Sequence, residues 1–128
     1  MNLIEYSDAS PEVREVYDDI MRSRKTDYIN NFWKALANHP PTLREVWEDT
    51  KRVMAGPGTI DPLMRELIYI GVSIANACDY CTATHSAAAR TKGMTDAMWG
   101  EFMQIVALAS SNNRLANGYR IEVDEKYR

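Results

Sequence analysis

Between Asp61 and Ala77 the chain runs DPLMRELIYIGVSIANA, and this stretch constrains the fold more than any other. Asp61 and Pro62 form a cap followed by a proline at the first helical position, which opens a helix. That helix is apolar on most of its circumference, so it is expected to be the best-buried segment and central to the core. One narrow polar stripe survives, at Glu66, Ser73 and Asn76. Helical spacing recurs along the rest of the chain, and no apolar/polar alternation between hairpin turn signals is present. The expected fold class is all-α, a single helical domain of about six helices over residues 1–128.

Ser10, Pro11 and Glu12 open a first helix with Val13, Val16, Tyr17 and Ile20 on one face, followed by a charged break at 22–27. Residues 28–38 place Ile29, Phe32, Trp33 and Leu36 at helical spacing and stop at NHPP, because a residue before proline resists the α conformation. A third helix, about 42–54, should bury Leu43, Val46, Trp47 and Val53 and end at AGPG. A short helix after 76 ends at Gly93, a glycine suited to a left-handed cap. Thr95 caps a last long helix, 96 to about 117, with Trp99, Phe102, Met103, Val106 and Ser110 on one face, and 118–128 reads as a tail.

The balance of 45% hydrophobic and 26% charged residues in 128 is that of a globular chain able to build a real core. Net charge is -3 and the basic residues are scattered, so no stripe fits a phosphate backbone and nucleic acid is not an expected partner. No stretch approaches the apolar length of a membrane span, and MNLIEYSDASPEV lacks a basic region followed by an apolar run. The expected location is the cytoplasm, with no membrane partner. A structural disulfide is not expected in that reducing compartment, and two cysteines three residues apart there suit catalysis or metal binding.

Those cysteines lie in NACDYCTATHSAAARTKG, residues 76–93. At about 100° per residue, Cys78, Cys81 and His85 fall within a sector of about 60° on one helix face. Cys81 and His85 are an i, i+4 pair, so the imidazole can accept the thiol proton or stabilise the thiolate. The nearby helix start favours thiolate on both sulfurs, and on that ground alone Cys78 more than Cys81. Zinc is the competing reading, but a closed structural site wants four ligands. There is no second CxxC, and the other histidine, His39, stands beside two prolines. No metal site and no cofactor are expected. A third reading makes the cysteines small apolar fillers, which a histidine at i+4 argues against. Glu66, on the polar stripe, would need a partner if buried, and His85 could supply it.

Glu66, Cys78, Cys81 and His85, with eleven residues between the first two and then CxxCxxxH, resemble the alkylhydroperoxidase AhpD family, related to the carboxymuconolactone decarboxylases. The similarity runs from about 39 to 117. It implies a helical subunit of a homotrimer or homohexamer and a dithiol-dependent alkylhydroperoxidase, an antioxidant activity of peroxiredoxin type. It implies Cys81 as the nucleophile toward a hydroperoxide substrate and Cys78 as the resolving cysteine. His85 is implied as proton acceptor and Glu66 as the group that orients it. The electron donor implied is a dithiol, such as a lipoyl protein or a peroxiredoxin partner. One position departs from the pattern: where members with a peroxidase relay carry a histidine just before the nucleophile, this chain has Tyr80. A phenol titrating at about 10 is a poor proton shuttle at neutral pH, so the relay is expected to be shorter. The alternatives are a slow redox-sensing or thiol-disulfide interaction module of the same fold, and a carboxymuconolactone decarboxylase-like protein. Decarboxylase members typically lack the paired cysteines.

Overall fold

A computed structural model describes all 128 residues, Met1–Arg128. It is all helical: α1 Pro11–Arg24, α2 Asn31–Leu36, α3 Pro40–Thr50, α4 Pro62–Ala75, α5 Asp79–Thr91 and α6 Asp96–Gly118. A π-helical turn, Lys51–Ala55, prolongs α3, and short 3-10 turns lie at Tyr6–Asp8 and Glu125–Tyr127. No helix is long and apolar enough to cross a membrane. The chain divides into two compact units, Met1–Pro57 and Gly58–Arg128.

In the first unit Ser10 Oγ accepts the Val13 N–H at 3.3 Å and Pro11 takes the first helical position, as the cap-then-proline signal predicts. Val13, Val16, Tyr17 and Ile20 are all buried, packed with Ile29, Trp33, Leu43 and Trp47. The Tyr17 hydroxyl donates to the Ile4 carbonyl at 2.8 Å. Burial, reinforced by the charge of Glu5, pushes that phenol up to about 12. Trp33 and Trp47 meet edge-on with ring centroids 5.5 Å apart, and the Arg24 guanidinium lies over both rings.

Three boundaries differ from those expected. The α1 helix runs to Arg24, and Lys25, left-handed at φ 54°, ends it inside the charged break. The α2 helix starts only at Asn31, because Thr26 Oγ1 accepts the Tyr28 N–H and holds those residues in a local turn. It ends at Leu36, two residues before Asn38, and Phe32 is left exposed. The α3 helix starts at Pro40, and the wider π turn after Thr50 carries Val53 off the face of Leu43 and Trp47 into solvent.

In the second unit Asp61 accepts the Met64 N–H at 3.1 Å and opens α4 as expected. The helix is not, however, the best-buried segment. Its buried residues are Glu66, Ile70 and Ser73, while Met64, Ile68, Tyr69 and Val72 are exposed. The partner explains the reversal. The α5 helix, DYCTATHSAAART, is small and polar, so it covers the stripe able to hydrogen-bond and leaves much of the apolar circumference of α4 bare. Ile70, Ala89 and Met94 form the buried cluster, flanked by Leu67, Trp99 and Phe102. Thr95 caps α6, and Trp99, Phe102, Met103, Val106 and Ser110 form its half-covered face. Ile105, Leu108 and Leu115 are exposed.

Candidate functional site

The backbone between α4 and α5 places the first cysteine. Helix α4 ends in a Schellman turn: the Ala77 N–H donates to the Ile74 carbonyl and the Cys78 N–H to the Ser73 carbonyl. The residue that must turn left-handed is Ala77, at φ 54°, a conformation that costs a residue with a Cβ about 1–2 kcal/mol. Directly after it, Cys78 is the N-cap of α5, and its Sγ accepts the Cys81 N–H at 3.3 Å. The short loop therefore delivers a sulfur to the positive end of a helix.

Cys78 and Cys81 are joined in a disulfide, with Cα atoms 5.4 Å apart. His85 comes one helical turn after Cys81. Its Nδ1 lies 2.7 Å from Glu66 Oε2, which reaches across from α4. Glu66 is 3% exposed, and its other oxygen, Oε1, receives Lys92 Nζ at 2.5 Å. The Tyr69 ring stacks on the imidazole at 3.7 Å between centroids and 23° between planes. Ser73, also buried, donates its hydroxyl to the Tyr69 carbonyl at 2.9 Å, so the polar stripe closes on its own helix.

Two of the expected pairings are thus formed: Cys78 with Cys81, and Glu66 with His85. Helix register alone connects the pairs, His85 standing four residues after Cys81. Asn76 ends α4 in solvent and takes no part in the Glu66 cluster. Tyr80 is 41% exposed in the first turn of α5, immediately before Cys81. No group of three or more His, Cys, Asp or Glu side chains converges to hold a metal ion.

Lys92 and Tyr69 are not singled out by the sequence, yet both carry a positional signal. Lys92 stands seven residues after His85, two turns along the same face, and Tyr69 three after Glu66. A Schellman turn anchors Lys92 as well: Gly93 N–H donates to the Arg90 carbonyl and Met94 N–H to the Ala89 carbonyl, with Gly93 at φ 101°. Ala89 and Met94, the residues that close this turn, are both buried in the unit's core.

The electrostatics fix the direction of the proton. Burial pushes the Glu66 carboxyl up, but the hydrogen bonds from His85 and Lys92, with the charges of Lys92 and His85, outweigh it and hold the group below its ordinary value. An ionised Glu66 can only accept, so His85 Nδ1 carries the hydrogen and donates it. In the neutral ring Nε2 is then the accepting nitrogen. The cluster can orient an imidazole as a base one helical turn after a pair of cysteines joined as a disulfide.

Comparison with known proteins places this arrangement. The carboxymuconolactone decarboxylase family matches over residues 41–121. A search of curated proteins finds no match. Among solved structures, the chain is similar to the alkylhydroperoxidase AhpD core from Rhodospirillum rubrum ATCC 11170, at 46% identity and a TM-score of 0.97. That alignment covers 99% of this chain and 95% of the other. On the family match and this likeness, the chain belongs to the carboxymuconolactone decarboxylase family, as an AhpD-like member.

Proposed function

We propose that the protein is a dithiol-dependent alkylhydroperoxidase. The observation that carries this reading is the Cys78–Cys81 disulfide, set one helical turn before a histidine that a buried carboxylate orients. The Cys81 thiolate, its proton accepted by His85 Nε2, attacks the terminal oxygen of a hydroperoxide. The O–O bond breaks, the alkoxide takes the proton back from His85 and leaves as alcohol, and Cys81 becomes a sulfenic acid. The Cys78 thiolate then attacks the Cys81 sulfur, the S–S bond forms, and the hydroxyl leaves as water with a further proton. The two electrons that reduce the peroxide come from the two sulfurs. A dithiol donor returns them by thiol-disulfide exchange. The likeness to an alkylhydroperoxidase core supports the choice of organic hydroperoxide as substrate.

The test replaces Cys81 and Cys78 separately by Ser and measures consumption of an organic hydroperoxide with a dithiol reductant such as dihydrolipoamide. Cys81→Ser should abolish turnover, and full activity in that protein would sink the assignment. Cys78→Ser should leave Cys81 able to form one sulfenic acid and then a mixed disulfide with the donor, a species that can be trapped.

A second reading, a slow thiol switch, is favoured by Tyr80 at the position beside Cys81. Saturable turnover at an enzyme-like rate excludes it. For assembly we infer a homotrimer or homohexamer, supported by the bare apolar residues Ile68 and Val72 on α4 and Ile105 and Leu108 on α6. A single species of 14.6 kDa at micromolar concentration in sedimentation would contradict it.

A further inference from the structure

Glu66 is held at both oxygens by groups of the same helix end of the unit: His85 on Oε2 and, two turns further along, Lys92 on Oε1. The histidine contact suffices to orient a ring. The lysine contact has no part in the peroxide chemistry, yet it takes a long flexible side chain to a buried carboxylate. We propose that Lys92 is a positioning residue of the dithiol site, which determines through Glu66 which nitrogen of His85 accepts the Cys81 proton.

The physical reason lies in what a buried acid does when left with one neutral neighbour. A carboxylate that is 3% exposed and bonded only to a neutral imidazole is driven toward its protonated form, since burial penalises the charge. A protonated Glu66 can donate to Nδ1. The ring would then carry its hydrogen on Nε2, and the nitrogen left free for Cys81 could no longer accept one. The ammonium of Lys92 removes that option by favouring the ionised acid. The charged groups acting on Glu66 are Lys92, at the C-cap of α5, and His85, within it. From α6 the unit's core receives Trp99 and Phe102, and Arg65, next to Glu66 on α4, donates to the Ile60 carbonyl.

The backbone is built to hold Lys92 where it stands. It caps α5, with its N–H shared between the Ala88 and Ala89 carbonyls, and the Gly93 turn comes directly after. A cation at this end of the helix is also favoured by the dipole. Tyr69, stacked on His85 from the α4 side, resists rotation of the ring about Cβ–Cγ, so the choice left to the imidazole is between tautomers.

The role of Lys92 rests on the peroxidase reading for its purpose, but its test reads the protein itself. The carboxyl titration of Glu66 and the imidazole nitrogens of His85 are monitored by NMR in the reduced full chain, for wild type, Lys92→Met and Lys92→Arg. The Lys92 side chain is 34% exposed, so neither change opens a cavity in the core. Lys92→Met should raise the Glu66 midpoint by about 1–3 units and shift His85 toward the form protonated at Nε2. Lys92→Arg, which keeps the charge, should leave both near wild type. The acid limb of kcat/KM against pH should move upward with the Glu66 midpoint in the Met variant alone. Unchanged Glu66 and His85 signals in Lys92→Met would overturn the proposal, as would an Arg variant disturbed as much as the Met one. Wild-type protein without turnover would refute the peroxidase reading while the NMR still judged Lys92.

Discussion

Each unit of the chain holds a carboxylate that accepts from two donors outside its own helix, and the two differ in what surrounds them. In Met1–Pro57, Asp19 Oδ2 takes the Trp47 indole N–H at 2.8 Å and Lys51 Nζ at 2.7 Å, beside a core of Tyr17, Ile20, Leu43 and Trp47. In Gly58–Arg128, Glu66 takes His85 and Lys92, and the fully buried apolar residues reduce to Ile70, Ala89 and Met94. Neither an indole nor an ammonium exchanges protons readily near neutral pH, so Asp19 can only fasten α1 to α3 and the turn that prolongs it. An imidazole does exchange them. Asp19 is the more exposed side chain, at 28% against 4% for Glu66, and the donor at the second contact separates a fastening from a carboxylate that holds an imidazole.

The largest effects should fall on opposite quantities. Trp47→Ala empties a buried indole site and removes the Asp19 donor, and should cost about 3–5 kcal/mol in urea unfolding. The turnover of the molecules still folded should not change. Glu66→Gln should do the reverse, lowering kcat/KM toward hydroperoxide by about 100-fold, the scale of lost general-base assistance, with a smaller shift in the urea midpoint. A Trp47→Ala protein whose folded fraction turns over as slowly as Glu66→Gln would break the division between fastening and chemistry.

Acid sharpens the same comparison. The hydrogen bonds from Lys51 and Trp47 hold Asp19 far below the usual carboxylate range. Glu66 is pushed up by burial and then held below its ordinary value by its bonds to His85 and Lys92. For a carboxylate whose folded value is lowered, the stabilisation is complete above the unfolded value and is lost as pH falls through the folded one. The urea midpoint should therefore be flat from neutrality down to about pH 5 and fall below about pH 4. Asp19→Asn should remove the part of the fall lying at lowest pH, and Glu66→Gln the part nearer pH 4. Two variants with the same acid profile would show that the second acid is fastened no differently from the first.

How much of this was legible in the sequence depends on which force fixes each feature. Caps were legible because they are local chemistry: Ser10, Asp61 and Thr95 each accept the N–H three residues on. The alignment of Cys78, Cys81 and His85 was legible because it depends on helix period alone. The burial of α4 was misread. Periodicity reports how apolar a helix is but not which side its neighbour covers, and the small α5 covers the polar stripe. The late start of α2 came from a Thr26 side chain competing with the helix, and the exposure of Val53 from a π turn, neither of which leaves an apolar pattern to read. Lys92 lies 26 residues from Glu66, so only the packing of α5 on α4 brings them together.

The smallest expected effect concerns the two turns that bracket the site. Both α4 and α5 end in Schellman turns, one through Ala77 at φ 54° and the other through Gly93 at φ 101°. Gly93→Ala should cost about 1 kcal/mol or more, since a side chain rarely adopts that backbone and Lys92 precedes it directly. Ala77→Gly should have the opposite sign. The relief of a left-handed alanine, about 1–2 kcal/mol, is offset by the added freedom of glycine in the unfolded chain, about 0.4–1 kcal/mol. A net gain of about half a kcal/mol in urea unfolding is expected from that difference. Strain kept at Ala77, where glycine would serve the turn better, sits in the residue that hands the chain to Cys78. A destabilised Ala77→Gly protein would mean that the alanine methyl makes contacts worth more than the strain, and that the loop before Cys78 is held by packing and not by its backbone turn.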